Sequence, residues 1–109
     1  MYYLFNASAV TLFAGGQGQG SNNTQLSYPI GMYLDVISNS LLISNYGSHT
    51  IVRWALNDNH WTLIAGNVNG TNGSSSVLLN GPVGMTLDPM GNVYVADSSN
   101  HRIQKFNRY

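Results

Sequence analysis

The sequence contains no cysteine and very few charged side chains. Its 109 residues include 4 Lys and Arg and 4 Asp and Glu, which gives a formal net charge of 0. Without cysteine the chain can form neither a disulfide framework nor a thiolate zinc site, and its redox compartment cannot be inferred. Because nucleic-acid binding usually requires a basic surface, we expect no nucleic-acid partner.

Long hydrophobic runs are missing as well. Residues 1–8 lack a basic flank and contain too few consecutive apolar residues for a signal peptide core or a membrane span. We therefore expect no membrane span, and the sequence leaves the cellular compartment unknown. Asn-x-Ser/Thr sites at Asn6, Asn22, Asn69 and Asn72 favour a secreted, extracellular protein.

Glycine, asparagine and serine are abundant, and they separate segments that occur twice along the chain. Four segments recur in the same order, with a period of roughly 52 residues, the length of a propeller blade. The matched pairs are 10–15 with 61–66, 29–35 with 82–88, 41–45 with 93–97, and 48–54 with 100–106. This order indicates a duplicated structural unit.

Each unit contains four short apolar runs rich in β-branched and aromatic residues, separated by turn-forming residues. This pattern is typical of an antiparallel meander and predicts an all-β fold. The predicted strands cover 9–14, 29–35, 40–45, 50–55, 60–65, 82–88, 92–97 and 102–107. Gly31 and Gly84 lie inside strands, where a glycine indicates close approach of another backbone.

The segment 82–106 resembles the NHL repeat, with Asn100, His101, Arg102 and Ile103 as its characteristic box. The resemblance implies β-propeller blades, each a four-stranded antiparallel meander, and a partial propeller of about two blades out of six. Residues 1–14 would end a preceding blade, 29–65 would form one blade, and 82–109 would supply three strands of the next.

Two blades cannot close a propeller ring. We therefore expect either a fragment of a longer chain that contributes further blades, or a homo-oligomer in which three copies exchange strand 9–14.

The turn that carries the box has a structural interpretation. An aspartate that opens such a turn accepts backbone N–H bonds, and Arg102 is close enough in sequence to pair with Asp97 or with a neighbouring carbonyl. The first unit has Asn45 and Thr50 at the corresponding positions, so its turn lacks the ion pair.

Candidate chemistry is sparse. His49 and His101 occupy equivalent turns, but no carboxylates or histidines accompany them at metal-ligand spacing, so we expect neither a metal nor a cofactor. No nucleophile elbow is present. The glycine run at 15–20 lacks the Lys-Ser/Thr ending of a phosphate-binding loop and is interpreted as a connection between blades.

Turns of a meander alternate between its two ends, so connections 15–28 and 66–81 should lie beside turns 45–49 and 97–101. We expect binding at this end, because loops on a rigid scaffold commonly carry function. The candidate binding residues are Tyr46, His49, Asn100 and His101, and no catalytic residue is predicted. The favoured function is a non-catalytic protein-binding scaffold whose partner is a protein or a glycan. The alternative is a metal-containing propeller enzyme resembling amidating lyases, lactonases or related hydrolases.

Overall fold

A computed structural model describes residues 12–20 and 22–107 of the chain. The first three residues of the strand predicted at 9–14 lie outside these ranges. Its last three residues, 12–14, are described and are not in a strand.

The described residues form two antiparallel sheets, which confirms the all-β prediction of propeller-type meanders. The first sheet has the strand order β1-β2-β3-β4 and the second has the order β5-β6-β7. The strands are β1 (Pro29–Asp35), β2 (Ser40–Asn45), β3 (Thr50–Ala55), β4 (Thr62–Gly66), β5 (Pro82–Leu87), β6 (Val93–Asp97) and β7 (Arg102–Phe106). Helical structure in these ranges is limited to two single 3-10 turns, Tyr46–Ser48 and Ser98–Asn100.

The two sheets share their irregularities as well as their order. Each first strand has a register shift next to its opening proline, between Pro29 and Gly31 in β1 and between Pro82 and Gly84 in β5. Each second strand is followed by a 3-10 turn that leads directly into the third strand. The sequence repeat is therefore a structural repeat.

The main hydrophobic core lies between the sheets. Leu42 and Ile51 project from the first sheet and are fully buried, and they pack with Val93 and Val95 of the second sheet. Leu79, from the connection between the sheets, completes this core. We call the side of each sheet that carries residues equivalent to Leu42 and Ile51 its front face, and the other side its back face.

The back face of the first sheet carries a second apolar cluster, in which Ile43, Val52, Trp54 and Trp61 are buried. Ala14 and Leu26, from the segment before β1, are among the residues that pack against it. Because Leu42 and Ile43 point to opposite faces and are both buried, β2 is covered on both sides, as its continuously apolar sequence predicts.

The glycine prediction is confirmed at one of the two positions. A Cβ atom added to Gly31 would collide with the carbonyl oxygen of Val83, so this glycine allows β1 and β5 to approach each other closely. A Cβ atom added to Gly84 would meet no atom within 4 Å. Within the described residues, no backbone packs against the side of β5 on which that Cβ atom would lie.

Candidate functional site

One end of the two sheets carries both 3-10 turns and two long connections, which are 66–81 and the described residues 15–20 and 22–28; we call this end the turn face. The Gly47 N–H donates to the carbonyl of Ser27 at 2.9 Å, and the Ser99 N–H donates to the carbonyl of Asn80 at 3.0 Å. These equivalent bonds join each turn to the connection that precedes its sheet. The predicted neighbourhood of connections and turns is confirmed.

Asp97 is the centre of the second turn, and it is fully buried. Its Oδ2 accepts from Arg102 Nε at 2.9 Å and from Asn100 Nδ2 at 2.8 Å. Its Oδ1 accepts from the Asn80 N–H at 2.7 Å. Since a buried carboxylate is costly without partners, these three donors make its burial possible.

The Arg102 guanidinium also binds the connection 66–81. Its terminal nitrogens donate to the carbonyls of Ser74 at 2.9 Å, Ser75 at 2.8 Å and Leu78 at 2.9 Å. Asn100 Nδ2 donates in addition to the carbonyl of Gly73 at 2.7 Å. One cation and one amide thus fix the shape of this connection, so the amide nitrogen of Asn100 is engaged inside the protein.

The first turn has a different set of partners. Asn45 is fully buried, and its Oδ1 accepts from the Ser27 N–H at 2.6 Å. Its Nδ2 and the buried Oγ1 of Thr50 have no hydrogen-bond partner among the described residues. The ion pair of the second turn has no equivalent here, because Thr50 stands where the repeat has Arg102.

The two candidate histidines have the same backbone but different surroundings. Both end their turns in the left-handed conformation, with φ of 57° at His49 and 55° at His101. His49 Nδ1 accepts a hydrogen bond from the Gly81 N–H at 3.0 Å, which ties the first turn to the start of the second sheet. This role requires a free lone pair on Nδ1, which a protonated imidazole lacks. His101 is exposed.

Two tyrosines stand together on the turn face. Tyr46 is 42% exposed and Tyr28 is 63% exposed. The Tyr46 N–H donates to the carbonyl of Tyr28 at 3.2 Å, so the two residues are neighbours. Sequence reasoning did not select Tyr28 as a candidate contact residue. The signal that could have found it is its repeat equivalent, Gly81, because both positions have positive φ, 49° and 64°, and a glycine there shows that the position needs no side chain for packing.

The opposite end of the sheets carries the equivalent carboxylates Asp35 and Asp88, which line a cleft of about 760 Å³ between the sheets. The Ser38 hydroxyl donates to Asp35 at 2.6 Å, and this bond is the main cause of a pKa below the usual value. The Asn92 side chain donates to Asp88 at 3.0 Å and is the main cause of its lowered pKa.

Both carboxylates also accept backbone N–H bonds from the hairpins that follow them, at Ile37 and Met90. They therefore hold turns and lie at the end of the sheets away from His49 and His101. In the ranges 12–20 and 22–107, no group of three or more metal-ligating side chains could hold a metal ion. No helix in the same ranges is long and apolar enough to cross a membrane.

Comparison with protein families finds a match in the second repeat. Residues 79–106, which include all of the second sheet and its turn, match the family model of the NHL repeat. No curated protein matches the chain.

Proposed function

Because residues 79–106 are an NHL repeat, a propeller-forming unit, we propose that this chain is a non-catalytic protein-binding scaffold that presents its turn face to a protein partner. The candidate contact residues are Tyr28, Tyr46 and His101. His49 and Asn100, whose polar atoms bond within the protein, position the loops around them.

The pair of exposed tyrosines is the observation that carries this proposal. Tyrosine supplies a large contact area with little loss of side-chain entropy, and it is enriched in protein interfaces. Tyr28 directly precedes β1, Tyr46 begins the turn after β2, and a backbone hydrogen bond joins the two residues. A pre-organised aromatic pair of this kind loses little conformational freedom when a partner binds.

The surroundings of the pair also favour a protein partner. The connections 15–20, 22–28 and 66–81 contain no Asp, Glu, Lys or Arg, and the charges of Asp97 and Arg102 pair with each other in the second turn. Neutral polar surfaces with tyrosine suit protein contacts better than nucleic acid. A glycan is the other ligand such a surface could recognise. The exposed sites Asn69 and Asn72 lie on the same connections, in keeping with a secreted protein.

A pull-down with paired surface variants tests the proposal. The test variant is Tyr46→Ser with His101→Asn, because asparagine tolerates the left-handed backbone at position 101. The matched control is Ile37→Ser with Met90→Ser at the opposite end, where the side chains are 89% and 75% exposed. We expect the test variant to lose at least about tenfold in capture of a specific protein and the control to retain it.

Capture that survives the test variant but is lost with the control would contradict the proposal. Capture that is abolished by free oligosaccharide would show that the turn face binds a glycan and not a protein surface.

A further inference from the structure

In the described chain the second sheet has an open face, whereas the back face of the first sheet is open only in a groove beside β1. The first sheet has an open back groove of about 470 Å³, and the second sheet has an open front face. The lining of the groove includes Phe13, Ala14, Leu26, Met32 and Leu41. The open front face carries Gly84, Thr86, Tyr94, Ala96, Ile103 and Lys105.

The groove has the same construction as the core between the two sheets. Leu26, Met32 and Leu41 are the repeat equivalents of Leu79, Met85 and Val93, and all three equivalents pack in that core. Phe13 and Ala14 correspond in the same way to Ile64 and Ala65, which also belong to it. The groove therefore contains the receiving side of a sheet-to-sheet core, that is, the residues that surround side chains inserted from the front face of another sheet.

The side chains that would insert into such a groove are present on the open front face of the second sheet. In the core between the sheets, Leu42 and Ile51 of the first sheet fill the receiving side. Their equivalents in the second sheet are Tyr94 and Ile103. The difference in burial is large, because Ile51 is 0% exposed whereas Ile103 is 68% exposed. On the receiving side, Met32 is 74% exposed although its equivalent Met85 is packed in the core.

The first strands of the two sheets, β1 and β5, give independent support for docking at these surfaces. Gly31 permits the close approach of β5, since any side chain there would collide with the carbonyl of Val83. Gly84 is its equivalent and lies inside a strand, where glycine weakens the sheet unless a neighbour requires it. No atom of the described chain lies within 4 Å of a Cβ atom at Gly84. The space at Gly84 fits the first strand of another sheet.

We propose that a second copy of this chain docks head-to-tail, with the open front face of one copy against the open back groove of the next. Every copy carries both the front face and the groove. The packing between the two sheets within one copy shows how a front face and a groove fit together. Because the front face and the groove differ, the interface is heterologous and copies add in one direction until a ring closes. Repeating the same step keeps every turn face on one side of the assembly.

The polar contacts between the sheets indicate which bonds the docked copies form. Ser44 Oγ donates to the carbonyl of Pro82 at 2.6 Å between the two sheets. The equivalent pair across the copies is Ala96 and Pro29, so this bond is missing there. His101 and Tyr28 correspond to His49 and Gly81, so His101 Nδ1 of one copy can accept from the Tyr28 N–H of the next.

Light scattering of the 109-residue chain over a range of concentrations tests the inference. We expect masses at whole multiples of 11.8 kDa that increase with concentration. Gly84→Val leaves the single copy folded, because a Cβ atom there meets no atom within 4 Å, yet it weakens association by about tenfold or more through overpacking. Ile37→Lys, in an exposed hairpin away from both faces, is the matched control and leaves association unchanged.

Mixing two blocked variants distinguishes a head-to-tail contact from other association. Ile103→Lys blocks the front face and Met32→Lys blocks the groove, so each variant alone remains a single copy. The mixture forms a dimer and nothing larger, because one intact front face meets one intact groove. Ala96→Ser restores the missing hydroxyl and strengthens association of the otherwise unchanged chain by about threefold to tenfold.

A chain that stays a single copy at all concentrations would overturn the inference. So would association that Gly84→Val leaves unchanged, or a mixture of the two blocked variants that forms no dimer. These outcomes do not depend on the proposed binding role of the turn face, because the variants lie on the sheet faces.

Discussion

Replacing Arg102 with methionine removes the contacts that hold the second turn together. The substitution keeps an unbranched side chain of similar length and deletes the ion pair with Asp97 at 2.9 Å. It also deletes the bonds to the carbonyls of Ser74, Ser75 and Leu78. The connection 66–81 then loses its main attachment to the second sheet.

The expected loss of stability follows from burial. Breaking a fully buried ion pair costs about 3–5 kcal/mol. The Arg102 side chain is 26% exposed and Asp97 is 0% exposed, so solvent screens only the cationic partner. Asp97 also keeps its bonds from Asn100 and from the Asn80 N–H. We therefore expect Arg102→Met to lower the free energy of unfolding by about 2–3 kcal/mol and Tm by about 10 °C or more.

Urea unfolding followed by far-UV circular dichroism measures this loss at a concentration where the chain is a single copy. Gln104→Met is the matched control, since Gln104 lies on the same strand and makes one exposed bond to the carbonyl of Ser76 at 2.8 Å. It should change stability by no more than about 0.5 kcal/mol. A loss from Arg102→Met no larger than that of the control would refute the assignment of Arg102 as the anchor.

Three further perturbations test other parts of the structure. Asn45→Asp places a carboxylate oxygen where the buried Nδ2 has no described partner, and it should destabilise the chain by about 2 kcal/mol. Adding Thr50→Arg should recover part of that loss in the same urea titration. The Asn92 side chain is the main cause of the lowered Asp88 pKa. The ionised Asp88 carboxylate therefore stabilises the fold above its unfolded pKa near 3.8, and this stabilisation is lost as pH falls through the lower pKa of the folded state. Asp88→Asn should therefore flatten the acid side of a plot of Tm against pH, and an unchanged slope would contradict this. Gly31→Ala should cost about 1–3 kcal/mol in thermal unfolding, because its methyl group meets the backbone of the second sheet.

The strands were predictable because their signals are local. Short runs of β-branched and aromatic residues between turn residues placed all seven described strands to within two residues, and the repeat gave two independent views of each. The largest difference is β4, which begins at Thr62 where 60 was predicted. Trp61 is excluded from the strand, and its Nε1 donates to the carbonyl of Gln25 at 2.7 Å. That contact joins residues far apart in sequence, so strand periodicity could not reveal it.

The candidate site was less predictable, because it depends on which partner reaches each side chain. His49 and His101 are alike in local sequence and in backbone conformation. Only His49 has Gly81 within hydrogen-bond distance, since Gly81 lies at the start of the next sheet. Tyr28 likewise has a positive φ, and the sequence signal for it is the glycine at the equivalent position of the second repeat.

The central claim, that the turn face is the binding surface, is tested most directly by site-specific photo-crosslinking. A photoreactive phenylalanine analogue is incorporated at position 46 on the turn face or at position 37 on the opposite end, and crosslinked partners are identified by mass spectrometry. Both positions are exposed, at 42% for Tyr46 and 89% for Ile37, so accessibility favours the control position. We predict that position 46 captures the protein partner and position 37 does not; capture at position 37 alone would contradict the account.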